Sequence, residues 1–104
     1  MNGAARVDIP TVARAALPHA RALAERWAPG GRVRGAEYVA RNPTRSDSRP
    51  GSFKVNITTG RWADFATGDR GGDLVSLAAY VHRLSQVEAA RRIAAMLNIP
   101  GASS

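Results

Sequence analysis

The sequence contains no cysteine. That removes a disulfide framework, a thiolate zinc site and a cysteine nucleophile together, and it fits a reducing, cytoplasmic setting. Histidine is nearly absent. His19 and His82 are far apart and share no motif, and His82 falls in a last helical turn, where a partial positive charge is welcome. Apolar runs are short: none approaches the ~18 residues of a membrane span, and "MNGAARVDIP" lacks the apolar stretch of a secretion signal. No membrane partner is expected. Asp64, Asp69 and Asp73 are the only acids near one another. Hard cations favour carboxylates, but Asp73 reads better as a helix cap and Asp69 as part of a solvated turn. No catalytic residue and no cofactor is expected.

What is present is positive charge and ordinary apolar content. The chain has 104 residues and a formal net charge of +7. Arginine carries nearly all of it: ten Arg/Lys against four Asp/Glu in residues 1–54, and five against four in 55–104. Such a field favours polyanions through counterion release. The length suits one domain with a modest core, here assigned to residues 1–100 with a loose tail at 101–104.

Residues 9–28 read as a helix, with Asp8 at its cap and Pro10 in its first turn. Pro18 removes a backbone donor and predicts a kink or two shorter helices. A sheet of about three antiparallel strands is expected over 33–66. One strand lies around "EYVAR". The next, "SFKVNI", alternates Phe53, Val55 and Ile57 with Ser52, Lys54 and Asn56. "TTG" then reads as a three-residue hairpin loop leading into "RWADF". That turn sets Ile57 opposite Arg61, Val55 opposite Ala63 and Phe53 opposite Phe65. Phe65 joins the core, and Trp62 and Asp64 fall on the other face with Lys54 and Asn56.

After the turn "ATGDRGG", Asp73 caps a helix over 74–83 whose stripe is Leu74, Leu77, Ala78 and Val81. "SQVE" (85–88) is a capping box. It opens a last helix reaching Leu97, with Val87, Ala90, Ile93, Ala94 and Leu97 inward and Glu88 paired with Arg92. The helical pair spans 73–98. The whole is an α+β domain, a small antiparallel sheet packed with an N-terminal helix and two C-terminal helices.

Two segments invite a ligand. "GDRGGD" leads into a helix N-terminus, but it lacks the Lys-Ser/Thr of a phosphate loop and ends on an acid; a tight turn is its simpler purpose. Trp62, beside Lys54, is either a platform for a single-stranded base or, if the first helix covers that face, part of the core.

The segment from Glu37 to Ile99 resembles the zinc-ribbon N-terminal domain of bacterial, phage and mobile-element DNA primases and primase-helicases. "NPTR" (42–45), "PGSFKVN" (50–56), "WADFAT" (62–67), "GGDLVSLAAY" (71–80) and "LSQVEAARRIAAML" (84–97) keep that family's order. The family's four zinc-ligand positions fall on Asn42, Arg45, Asp64 and Thr67, a set that makes no Zn²⁺ site. The turn before Gly-Gly-Asp is about one residue longer than the family's. The resemblance implies a metal-free, zinc-ribbon-like accessory domain of a DNA replication protein. It would contact single-stranded DNA or RNA template, and any primer-synthesis or helicase chemistry would lie in other domains or partner chains. The contacts expected are Arg41, Arg45, Arg49, Lys54 and Arg61 on phosphates, with Trp62 stacking a base. An Arg45–Asp64 ion pair should stand where the metal would be, with Lys54 the competing partner of Asp64. A protein-protein docking module on the same scaffold, meeting an acidic partner, is the alternative.

Overall fold

The structure, a computed structural model, describes residues 7–45 and 51–99. Its order is α1 (Ile9–Ala16), a 3₁₀ turn (Leu17–His19), α2 (Ala20–Trp27), β1 (Arg32–Arg34), β2 (Glu37–Ala40), β3 (Phe53–Asn56), β4 (Trp62–Asp64), β5 (Arg70–Gly71), α3 (Leu74–His82) and α4 (Gln86–Leu97). The fold is α+β. A bent N-terminal helical arm and two C-terminal helices pack with one antiparallel sheet of order β1-β2-β3-β4-β5. The tail at 101–104 lies outside the described residues.

The helix starts follow local chemistry. Asp8 accepts from the Thr11 N–H and hydroxyl, at 3.4 and 2.6 Å. Pro18 falls in the 3₁₀ turn that separates α1 from α2, where its missing N–H costs least. Asp73 caps α3 by accepting from the Ser76 N–H at 2.8 Å, and Ser85 caps α4 by accepting from the Glu88 N–H at 3.1 Å. The Glu88 carboxylate turns to Arg92 at 3.2 Å. Ala90, Ile93 and Ala94 of α4 are buried as expected, but Val87 is 42% exposed and Ala89 is buried in its place.

The sheet corrects the expected three strands and the expected register. The extra strands are β1 and β5, three and two residues long. The β3–β4 pairing sets Phe53 opposite Asp64, Lys54 opposite Ala63 and Val55 opposite Trp62. The cause is Asn56. Its side-chain oxygen accepts from the Thr58 and Thr59 N–H groups, both at 2.9 Å, and its backbone N–H donates to the Arg61 carbonyl at 2.7 Å. The loop therefore holds four residues, 57–60, with Gly60 at φ +82. One added loop residue moves every β4 side chain to the opposite face. Trp62 and Asp64 turn inward, to 5% and 0% exposure, and Phe65 turns outward, to 70%.

The helices cover the inward face. Tyr38, Phe53, Val55 and Trp62 join Val12, Leu23, Trp27, Leu74, Leu77 and Ile93 in one core. The Trp62 ring lies 4.5 Å from that of Tyr80 and 6.2 Å from that of Phe53. Its Nε1–H donates to the Ser76 hydroxyl at 2.9 Å, so the residue whose N–H Asp73 caps also satisfies the buried indole. Tyr38 ties the sheet to the end of α2, donating to the Ala28 carbonyl and accepting from the Gly31 N–H. Gly71 lets β5 cross the indole: a Cβ there would collide with Trp62 and Ser76.

Candidate nucleic-acid interface

The outward face of the sheet is built by strand alternation alone. Cross-strand partners line up as Arg32, Val39, Lys54, Ala63 and Arg70 in one row across all five strands. A second row runs Arg34, Glu37 and Asn56, and the backbone bond between Asn56 and Arg61 carries it into β4. Beyond these, Phe65 donates its N–H to the Ser52 carbonyl at 2.8 Å, which extends the β3–β4 ladder by one residue. Arg41 is exposed one step past β2 and continues the outward alternation of Glu37 and Val39.

Five cations and one acid thus share this face within the strands and the turn beside them: Arg32, Arg34, Lys54, Arg61 and Arg70 against Glu37. The Lys54 ammonium sits 5.5 Å from the centre of the exposed Phe65 ring, a cation–π distance. A hollow of about 310 Å³ opens here, bordered by Glu37, Lys54, Asn56, Arg61, Phe65 and Arg70. An open antiparallel face with basic side chains around an exposed aromatic has the parts that hold a single strand: cations for phosphates and a ring for a base.

The expected site residues divide between the two faces. Arg41, Lys54 and Arg61 are on the outward one. Trp62 is core, and at 5% exposure it has no free ring face for a base; the register shift is the reason. Tyr80 and Ser76 of α3 and Phe53 of β3 are packed against it. Arg49 lies outside the described residues. Arg45 is turned to Asp64, with Nη2 at 3.0 Å and Nε at 3.2 Å from Oδ2. The residues that sequence reasoning missed are Arg32, Arg34, Phe65 and Arg70. Arg32 and Arg34 flank Val33 in an alternating triplet, a period-two signal too short to stand out.

The Arg45–Asp64 pair does form, and Lys54 is not its competitor. It belongs to a larger buried knot. Asp64 Oδ2 also accepts from Asn42 Nδ2 at 2.7 Å, and Oδ1 accepts from the Ala66 N–H at 2.8 Å. Asn42 Nδ2 donates a second time, to the Tyr80 hydroxyl at 2.8 Å, and that hydroxyl donates to Asp69 at 2.7 Å. Asn42 Oδ1 is occupied by Thr44, through its N–H at 2.8 Å and its hydroxyl at 2.7 Å. Burial works against ionisation of Asp64, but hydrogen bonds from Asn42, Ala66, Arg45 and Ser52 outweigh it and hold the carboxyl below the usual aspartate range.

Three of the four positions that the primase resemblance marks for zinc, Asn42, Arg45 and Asp64, therefore meet. Thr67 reaches them only through its backbone, donating to the Asp64 carbonyl at 3.3 Å, and its side chain is turned to the Asp69 N–H. An amide, a guanidinium, a carboxylate and a remote hydroxyl do not fit Zn²⁺. Among the described residues no three His, Cys, Asp or Glu side chains cluster as metal ligands, and no helix is long and apolar enough to cross a membrane. No protein-family model matches the chain, and no curated protein is significantly similar to it.

Proposed function

We propose that this chain is a non-catalytic nucleic-acid-binding module that takes a single strand on the outward face of its sheet. The observation that carries the reading is the row Arg32–Val39–Lys54–Ala63–Arg70, with Phe65 70% exposed beside Lys54. The exposed Phe65 ring beside Lys54 would give a base a surface to stack on. A sheet face with its cations spread from β1 to β5 suits an extended, flexible backbone. The order of sequence segments shared with the primase zinc-ribbon domain supports placing the module in a primase- or helicase-like DNA replication protein, in the cytoplasm. Primer synthesis or unwinding would then belong to other domains or partners.

Titration of the protein with fluorescent single- and double-stranded oligonucleotides tests this reading. Salt-sensitive single-strand binding that weakens with Phe65→Ala supports it. Absence of binding at low salt, with the protein folded, rejects it.

A further inference from the structure

One acid stands on a face otherwise made of cations. Glu37 is half-buried in the middle of the second row, between Arg34 on β1 and Asn56 on β3. Among the described residues its side chain forms no ion pair and no hydrogen bond, although Arg34 is directly opposite. For a surface that attracts phosphate, a carboxylate at this point is a disadvantage. It adds nothing visible to the fold.

Its neighbour is equally specific. The Asn56 side-chain oxygen is used by the Thr58 and Thr59 N–H groups. Two backbone donors fix the amide's orientation, so Nδ2 is a donor with no partner among the described residues. Glu37 and Asn56 are direct cross-strand partners, and both border the 310 Å³ hollow, whose walls include Phe65, Arg61 and Arg70. The hollow thus offers, side by side, an acceptor that cannot donate and a donor held in place.

We infer that Glu37 and Asn56 read the edge of a base seated in this hollow, and that they select cytosine and adenine over thymine and uracil. Cytosine presents its N4 amine beside the N3 acceptor, and adenine its N6 amine beside N1. In each case the amine meets the Glu37 carboxylate and the ring nitrogen meets the Asn56 amide. Thymine puts O4 where the amine would be, so carboxylate and carbonyl oxygens face each other. The carboxylate-to-cytosine-N4 pairing is a known mode of base readout. This inference rests on the single-strand reading above and adds a selectivity to it.

The decisive comparison uses (dC)12 and (dT)12, which share backbone and ring size, with the wild-type chain and Glu37→Gln. The wild type should prefer (dC)12 about tenfold. An oligonucleotide of N4,N4-dimethylcytosine, which lacks the amine hydrogens, should bind like (dT)12. Glu37→Gln should lose most of the preference, chiefly by binding (dT)12 more tightly. Equal wild-type affinities for the two strands, or a preference that survives Glu37→Gln, would overturn the selectivity and leave the binding module standing. Failure to bind either strand would remove both.

Discussion

At the residue scale, Asp64 has the most to lose. It is fully buried and accepts hydrogen bonds from Asn42, Arg45, Ser52 and the Ala66 backbone. Asp64→Ala leaves those donors without an acceptor, and Asn42, 1% exposed, has little access to water. A loss of about 2–4 kcal/mol in urea denaturation is expected. The pH dependence has a definite sign. The folded carboxyl titrates below its unfolded value of 3.8, so its contribution is complete above that value and is lost as pH falls further, through the folded pKa. The stability gap between wild type and Asp64→Asn should therefore be widest near neutrality and shrink below about pH 3.8. A gap that stays constant on acidification would show that Asp64 is not what titrates. The Arg45–Asp64 pairing was legible from sequence, because two segments related by a resemblance brought those residues together. The knot around it was not. Asn42 bridges Asp64 and Tyr80 across 38 positions of chain, and no local pattern announces such a contact.

At the element scale, the caps at Asp8, Asp73 and Ser85 were legible because each is settled within three residues of chain. The β3–β4 register was not, because it turns on what one side chain does. A loop of three or four residues fits "ITTG" equally well as a pattern. Asn56 decides by capturing two N–H groups of the loop, and every β4 side chain follows. Trp62 and Phe65 thereby exchange the roles that alternation alone assigned them. Truncating the two should give opposite results. Trp62→Ala should cost about 3–5 kcal/mol of stability. Phe65→Ala should change stability by less than about 0.5 kcal/mol yet weaken single-strand binding by about 1–3 kcal/mol. Thermal melts and titrations on the same samples separate the two; a Phe65→Ala protein that binds normally would show that its ring takes no part. Gly60 adds a third test of the turn. It combines φ +82 with Leu17 3.3 Å from where a Cβ would sit, so Gly60→Ala should destabilise by about 1–2 kcal/mol.

At the scale of the whole molecule, charge and burial are segregated. The helices and one sheet face hold the core, and the other sheet face holds cations at regular strand spacing. If three to five of these cations neutralise phosphates, log K for a single strand should fall with log salt at a slope of about −2 to −3.5. Removing Arg70 alone should flatten that slope by somewhat less than one. A slope near zero would mean that phosphates are not what the face holds. The knot of Asn42, Arg45 and Asp64 also requires no ion, so prolonged dialysis against a chelator should leave the melting temperature unchanged. These features emerge only when the strands are assembled: β1 and β5 are too short to be recognised as strands, yet they carry three of the five cations and widen the face from three strands to five.

The inward turn of Trp62 has an optical consequence. The indole lies 4.5 Å from the Tyr80 ring and donates to Ser76, while the surface proposed for oligonucleotides is on the far side of the strand. The chain's other tryptophan, Trp27, is 7% exposed at the end of α2 and meets His82 edge-on. Trp62 also borders the hollow, but at 5% and 7% exposure the two indoles offer no ring face on which a base could stack. Intrinsic emission should therefore follow unfolding closely and shift little on saturation with a single strand. A phenylalanine-to-tryptophan exchange at position 65 would place a third emitter on the outward face, where quenching by a bound base would report occupancy directly.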